Sequence, residues 1–216
     1  MSQFVVIGLG SFGSAVALTL SKLNQDVLVI DQNEDKIEEI KDFVTQAISA
    51  DVTNKKILEE FIDNNVTAVV VNLGFNLEGS ILTTVFLKDM GIKNILVKAG
   101  NEDHGKVLKV VGASEIIYPE KDVGVRVAER LSIPNLIDHI PLAPEYSIVE
   151  ISIPPLFIGK TLRELRLRNK YGIEVIAVKD RKLDTFNLIP SADLTLKSTN
   201  SLIVIAKRVD IDRLKF

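Results

Sequence analysis

The stretch "VVIGLGSFGSAVALTL", starting at Val5, limits the fold of this chain more than any other. A β-branched run stops at Gly8-Leu9-Gly10-Ser11-Phe12-Gly13 and gives way to helical spacing. Gly8 permits a tight turn out of a strand. Gly10 lets backbone approach a pyrophosphate, and Gly13 lets a helix pack closely on a sheet. The N-terminus of that helix adds unpaired N–H groups and partial positive charge. Such a loop is a weak signal alone. Here "DVLVID" follows, and Asp31 ends this second strand, where a carboxylate can accept both ribose hydroxyls of an adenosine. The same carboxylate repels a 2′-phosphate, which argues against NADP.

The rest of the N-terminal half extends this unit. Up to about residue 118, near-continuous apolar runs ("FVVIGL", "DVLVID", "TQAISA", "TAVVVNL", "NILVKA", "EIIYP") alternate with stretches of helical period. Runs of this kind are buried on both faces, and their alternation with helices implies right-handed crossovers. The expected class is α/β: a doubly wound parallel Rossmann sheet of about six strands over residues 1–118. Six of the seven prolines then fall between Pro119 and Pro155, which marks 119–144 as a connection. One helix is expected inside it, "EKDVGVRVAERL", with an apolar stripe of Val123, Val127 and Leu131 that needs a partner surface on its own sheet or on another subunit. Residues 145–216 restart as a small α+β lobe, with "YSIVEISI", "GIEVIAVK" and "NSLIVIAKR" as strands and "TLRELRL" as a short helix. A lobe this small favours dimerisation or docking.

Composition narrows the function. The net charge of -3 gives no basic field, so nucleic acid is not an expected partner. With no cysteine there is no disulfide, thiolate metal site or cysteine nucleophile. No apolar run nears the roughly 18–20 residues that cross a bilayer, and "MSQFVVIG" enters a strand without a basic leader, so the expected location is cytoplasmic.

Ligands of a doubly wound sheet sit beyond the carboxyl ends of its strands. Asp51 and Val52 follow the third strand, where Asp51 can accept from an adenine amino group. Leu73, Gly74 and Phe75 offer backbone near phosphates, and Lys98 can neutralise one. A base beside a nucleophile is not apparent. The only histidines are His104, at the start of a helix after "AGNED", and His139, in the proline-rich connection. A full nucleotide site without a reaction site favours sensing over turnover. The alternative is a small NAD-dependent oxidoreductase using the same crevice.

The combination "VIGLGSFGSAVALTL", "VLVIDQNEDKI", "ADVTN", "LTTVFLKDMGIKNILVKA", "KVLKVVGASEIIYPEKDVGVRVAERL" and "YSIVEISI…GKTLRELRLRNKYGIEVIAVK" resembles the KtrA/TrkA-type RCK (KTN) proteins across essentially the whole chain. The resemblance implies a cytosolic regulatory subunit of a potassium uptake system, held at the inner face of the membrane by a KtrB/TrkH-like channel subunit. It implies homodimers assembled as an octameric ring. ATP, ADP or NAD(H) would meet the loop of Gly8, Gly10, Ser11, Phe12 and Gly13, then Asp31, Gln32 and Asn33. Asp51, Val52, Leu73, Gly74, Phe75, Lys98, Ala99, Gly100 and His104 complete the implied site. Glu120 would reach the phosphates of the neighbouring half, with Mg²⁺ or Ca²⁺ as bridge. Ser11 stands where the family usually has an arginine that helps tell ATP from ADP. The C-terminal lobe matches a pattern that binds cyclic di-AMP, which implies Ile158, Arg168, Asn169 and Pro190 as its contacts.

Overall fold

The computed structural model describes residues 3–132, 136–143 and 145–211 and divides into two compact units, Met1–Glu120 and Lys121–Phe216. In the first unit the elements run β1 (Gln3–Ile7), α1 (Ser11–Lys22), β2 (Asp26–Asp31), α2 (Glu34–Ile40), β3 (Gln46–Ser49), α3 (Lys55–Phe61), β4 (Ala68–Val71), α4 (Leu77–Asp89), β5 (Ile95–Lys98), α5 (Glu102–Val111) and β6 (Glu115–Ile117). The six strands are ordered β3-β2-β1-β4-β5-β6, every pair parallel. The order reverses between β1 and β4, and a crevice opens there at the carboxyl ends. This is the doubly wound sheet that the alternating runs predict.

Burial explains the register. Val5, Val6 and Ile7 of β1 and Val27 to Ile30 of β2 are buried on both faces of the sheet. One face packs Ile7, Leu28, Val69 and Leu87 into one core; the other packs Val6, Val27, Val29 and Ala17 into a second. Each such side chain contributes about 1.5–3 kcal/mol on burial, so a one-residue slip would be costly on either face. Asn33, Asn54, Asn76 and Asn101 cap α2, α3, α4 and α5 through their side chains. Gly10 caps α1 with no side chain at all.

Helix α6 (Pro119–Ser132) starts at the unit boundary and buries none of its residues. The stripe of Val123, Val127 and Leu131 is exposed, as is Val125. The second unit continues with β7 (Leu136–Pro141), β8 (Tyr146–Ser152), α7 (Leu162–Leu165), α8 (Leu167–Tyr171), β9 (Glu174–Asp180), β10 (Thr185–Leu188), β11 (Asn200–Lys207) and α9 (Arg208–Ile211). Its strands form one antiparallel sheet ordered β10-β9-β11-β8-β7 around Val149, Phe157, Ile173 and Leu202.

Three local expectations change here. The proline-rich connection contains a strand, because β7 lies at the edge of the sheet, where Pro141 needs no amide donor on its open side. Edge strand β10 is only four residues long, and although Thr185, Phe186, Asn187 and Leu188 alternate polar and apolar, all four are exposed. The single helix expected in "TLRELRL" is two, broken by Arg166 in the left-handed region at φ 48°.

Candidate functional site

The crevice of the first unit holds a cavity of about 270 Å³. Its floor is the glycine loop. Gly8 takes φ +90°, and a Cβ there would lie 2.1 Å from the Asn72 carbonyl oxygen. A Cβ on Gly13 would lie 2.0 Å from the Gly8 carbonyl oxygen. Both positions therefore admit only glycine, as the pattern predicts. Because Gly10 is the N-cap of a 12-residue helix and has no side chain, the first-turn amides of α1 lack a side-chain acceptor. Those amides suit an anion.

Asp31, at the end of β2, is 9% exposed and lines the cavity. Its Oδ2 accepts from the Leu9 N–H at 2.6 Å and its Oδ1 from the Asn33 N–H at 2.9 Å. The Lys36 Nζ stands 3.7 Å from Oδ2. A carboxylate has about four lone-pair sites, so two backbone bonds leave capacity for a ribose diol. The acid thus fixes the loop as well as facing the cavity, a role that sequence spacing alone does not reveal.

Gly8, Gly10, Ser11, Gln32, Asp51, Val52, Leu73, Gly74 and Lys98 line the same cavity. Thr53 donates to the Asp51 Oδ1 from its hydroxyl at 2.7 Å and from its N–H at 2.9 Å. These two bonds hold the Asp51 carboxyl below its ordinary pKa. Lys98 is 16% exposed and pairs with the 70% exposed Glu120 of α6. That bond holds the Glu120 carboxyl below its usual range.

Other expected residues stand outside the lining. Phe12 packs against a core cluster, and Gly13 sits under the loop against Gly8. The Asn33 side chain is spent accepting the Lys36 N–H at the start of α2. Phe75 is fully exposed. Ala99 is buried and gives its N–H to the Ile117 carbonyl. The Gly100 N–H donates to His104 Nδ1 at 3.5 Å. His104 is 6% exposed, with Nε2 buried and unpartnered, and its loss of water pushes the imidazole pKa down. The side chain of His139 lies outside the described residues. Sequence spacing missed Lys36, Thr53, Asn72 and Asn76, which also line the cavity.

A divalent cation does not fit one chain alone. Glu120 is a single carboxylate already paired with a lysine, and no group of three His, Asp or Glu side chains gathers among the described residues. The second unit has a more open cleft of about 290 Å³, lined by Arg163, Arg166, Arg168, Asn169, Glu174 and Pro190 among others. Arg168 Nε lies 3.3 Å from Glu174, and Arg163 forks onto Asp193 at 2.8 and 3.4 Å. Ile158, expected here, is exposed and outside the lining. Among the described residues no helix is long and apolar enough to cross a membrane.

Comparison with known proteins supports this division. The TrkA-N domain family matches residues 4–119, and the TrkA-C domain family matches residues 147–215. The Ktr system potassium uptake protein A of Bacillus subtilis is 37% identical over 211 residues, which span 98% of this chain and 94% of that one. Among solved structures, the GsuK RCK domain superposes on 99% of the chain with a TM-score of 0.69 at 17% identity. The GsuK channel bound to NAD superposes on 97% with a TM-score of 0.66 at 16% identity. The chain spans 47% and 38% of those two longer chains, a likeness of fold.

Proposed function

The chain belongs to the TrkA family, as a KtrA/TrkA-type protein with one TrkA-N and one TrkA-C domain, and from that premise we propose that it is a cytosolic nucleotide-binding subunit regulating a membrane potassium channel or transporter. The observation that carries the reading is the cavity at the sheet's reversal point, where the glycine loop, Asp31 and Lys98 converge. Backbone amides and Lys98 suit phosphates, and Asp31 suits an unmodified ribose. ATP, ADP and NAD(H) share those features, and a relative in fold is described as bound to NAD. The oxidoreductase alternative is not favoured, since the relative matching nearly the whole chain is named for potassium uptake.

A nucleotide acts in such a protein by preferring one assembly shape over another. It can shift the equilibrium only by its difference in affinity for the two. A homodimer that assembles into an octameric ring supplies those shapes, and the exposed valines of α6 offer it an apolar face. Glu120 lies beside Lys98 at the phosphate end, where a second copy's phosphates and a divalent cation would complete a shell that one chain lacks. The arginine cleft of the second unit suits a bis-phosphate such as cyclic di-AMP. Ser11, which lines the cavity, brings no charge to a γ-phosphate. ATP and ADP should therefore differ by less than about 1.4 kcal/mol, or tenfold.

The test is potassium flux through a reconstituted KtrB/TrkH-like partner with this protein added and ATP, ADP or NADH titrated. Flux that depends on the protein and on nucleotide is expected. Flux indifferent to the protein at every nucleotide would defeat the reading, and NADH turnover with a carbonyl substrate would replace it.

A further inference from the structure

Asn72 is the first residue after β4, and its side chain reaches across the sheet's reversal point. It is 6% exposed and lines the cavity. Its N–H donates to the Ile7 carbonyl at 2.7 Å, and its Nδ2 donates to the Gly8 carbonyl at 3.2 Å. The same Nδ2 lies 3.1 Å from where a Cβ on Gly10 would stand and 3.0 Å from that of Gly13. One carboxamide therefore bonds to Gly8 and fills the space next to where side chains on Gly10 and Gly13 would stand.

The Gly8 carbonyl matters electrostatically. Its oxygen is partly negative and sits against Gly13 in the first turn of α1, where the amides suit an anion. A carbonyl left bare there weakens the positive field of the helix start. A donor placed on that oxygen offsets the effect, and it holds Gly8 in its left-handed conformation. Asparagine supplies such a donor without charge and keeps a second N–H.

We infer that Asn72 is a positioning residue of the phosphate loop: its carboxamide ties down the Gly8 carbonyl and so sets how strongly the loop holds a phosphate. This rests on the reading of the cavity as a nucleotide site. It makes a distinctive demand, because the effect must scale with the phosphates of the ligand and not with its adenosine.

The experiment measures binding of adenosine, AMP, ADP and ATP to the full chain by calorimetry, in wild type, Asn72→Ala, Asn72→Ser and Asn72→Asp. Adenosine should bind all four proteins within about twofold. ADP should weaken on the order of tenfold in Asn72→Ala, the size of one lost hydrogen bond. It should weaken further in Asn72→Asp, which removes the donor and adds a charge that repels phosphate. Amide exchange over residues 9–12 of the unliganded protein should speed up in Asn72→Ala. Equal losses for adenosine and ADP would show a merely structural role and overturn the inference. So would wild-type ADP binding in any folded variant that lacks the donor. Asn72→Asp, the closest in shape, decides the matter if Asn72→Ala does not fold, and Asn72→Ser, which keeps an O–H donor, should lose no more than Asn72→Ala. Failure of folded wild type to bind any adenine nucleotide would overturn the nucleotide reading and this inference together. Binding by wild type with unchanged variants would overturn the inference alone.

Discussion

The two clefts of this chain have similar volumes, about 270 and about 290 Å³, and are made of different materials. The first is framed by backbone, a glycine loop, strand ends and a helix start, with two acids and two lysines (Asp31, Asp51, Lys36 and Lys98) set around it. The second is a set of long side chains, Arg163, Arg166 and Arg168, over a small antiparallel lobe. A site built from backbone is inseparable from its fold, since the turn that shapes it is the turn that links β1 to α1. A site built from exposed side chains can lose a member while the lobe stays folded. The difference teaches where specificity can drift without loss of stability.

The largest expected effect tests the first half of that contrast. Gly8→Ala puts a side chain at φ +90° and a Cβ 2.1 Å from the Asn72 carbonyl. It should destabilise the first unit by about 2–4 kcal/mol and abolish nucleotide binding. Thermal unfolding with and without ADP measures both; a stable variant that loses binding alone would break the contrast.

Next in size is Arg168→Ala in the second cleft. The side chain is 81% exposed, so the melting profile should move by no more than about 0.5 kcal/mol. Cyclic di-AMP binding should fall about tenfold or more, and ADP binding should not change. A large loss of stability would show that the arginine cleft is as tied to its fold as the glycine cleft.

Glu120→Gln sharpens the comparison at the edge of the first cleft. Mg²⁺ or Ca²⁺ should strengthen ATP binding in wild type by roughly 3–10-fold, as hard cations bridge oxygen ligands. The gain should vanish in Glu120→Gln. Equal divalent dependence in both proteins would assign the cation to the phosphates alone.

The smallest expected effect is on pH. Desolvation lowers the His104 pKa in the folded protein from its ordinary 6.5. The unfolded chain therefore takes up this proton first as pH falls. Stability from the neutral, buried imidazole is complete above about 6.5 and drains away as pH drops through that value towards the folded one. Melting temperature between pH 7.5 and 5.5 should decline shallowly in wild type and stay flatter in His104→Gln. The lowered Asp51 and Glu120 carboxyls act in a separate window, adding stability that disappears only when pH falls below the ordinary carboxylate range. An equal slope in His104→Gln would remove His104 as the cause.

Legibility differed between the clefts for a physical reason. Gly8, Gly13 and Asp31 could be read because each is the one residue type its local geometry tolerates or uses, and each stands at a fixed distance from a strand end. Asn72 and Lys36 could not, since an asparagine after a strand and a lysine in a first helical turn are ordinary anywhere. The same holds for β7, hidden among prolines that an edge strand accommodates, and for β10, a four-residue run too short to stand out and exposed throughout.

Local chemistry along the chain is sufficient for the class of fold, the strand runs of the parallel sheet and the residue types at the phosphate loop. Periodicity and glycine placement are properties of neighbours in sequence, and they are written there. Tertiary structure alone settles which groups meet across 64 positions, as the Asn72 side chain does with the Gly8 carbonyl. It also gives Lys98 its partner in Glu120, and it buries His104 where helical position alone would allow exposure. Those outcomes depend on strand order and packing distance, which bring together residues that no sequence interval connects.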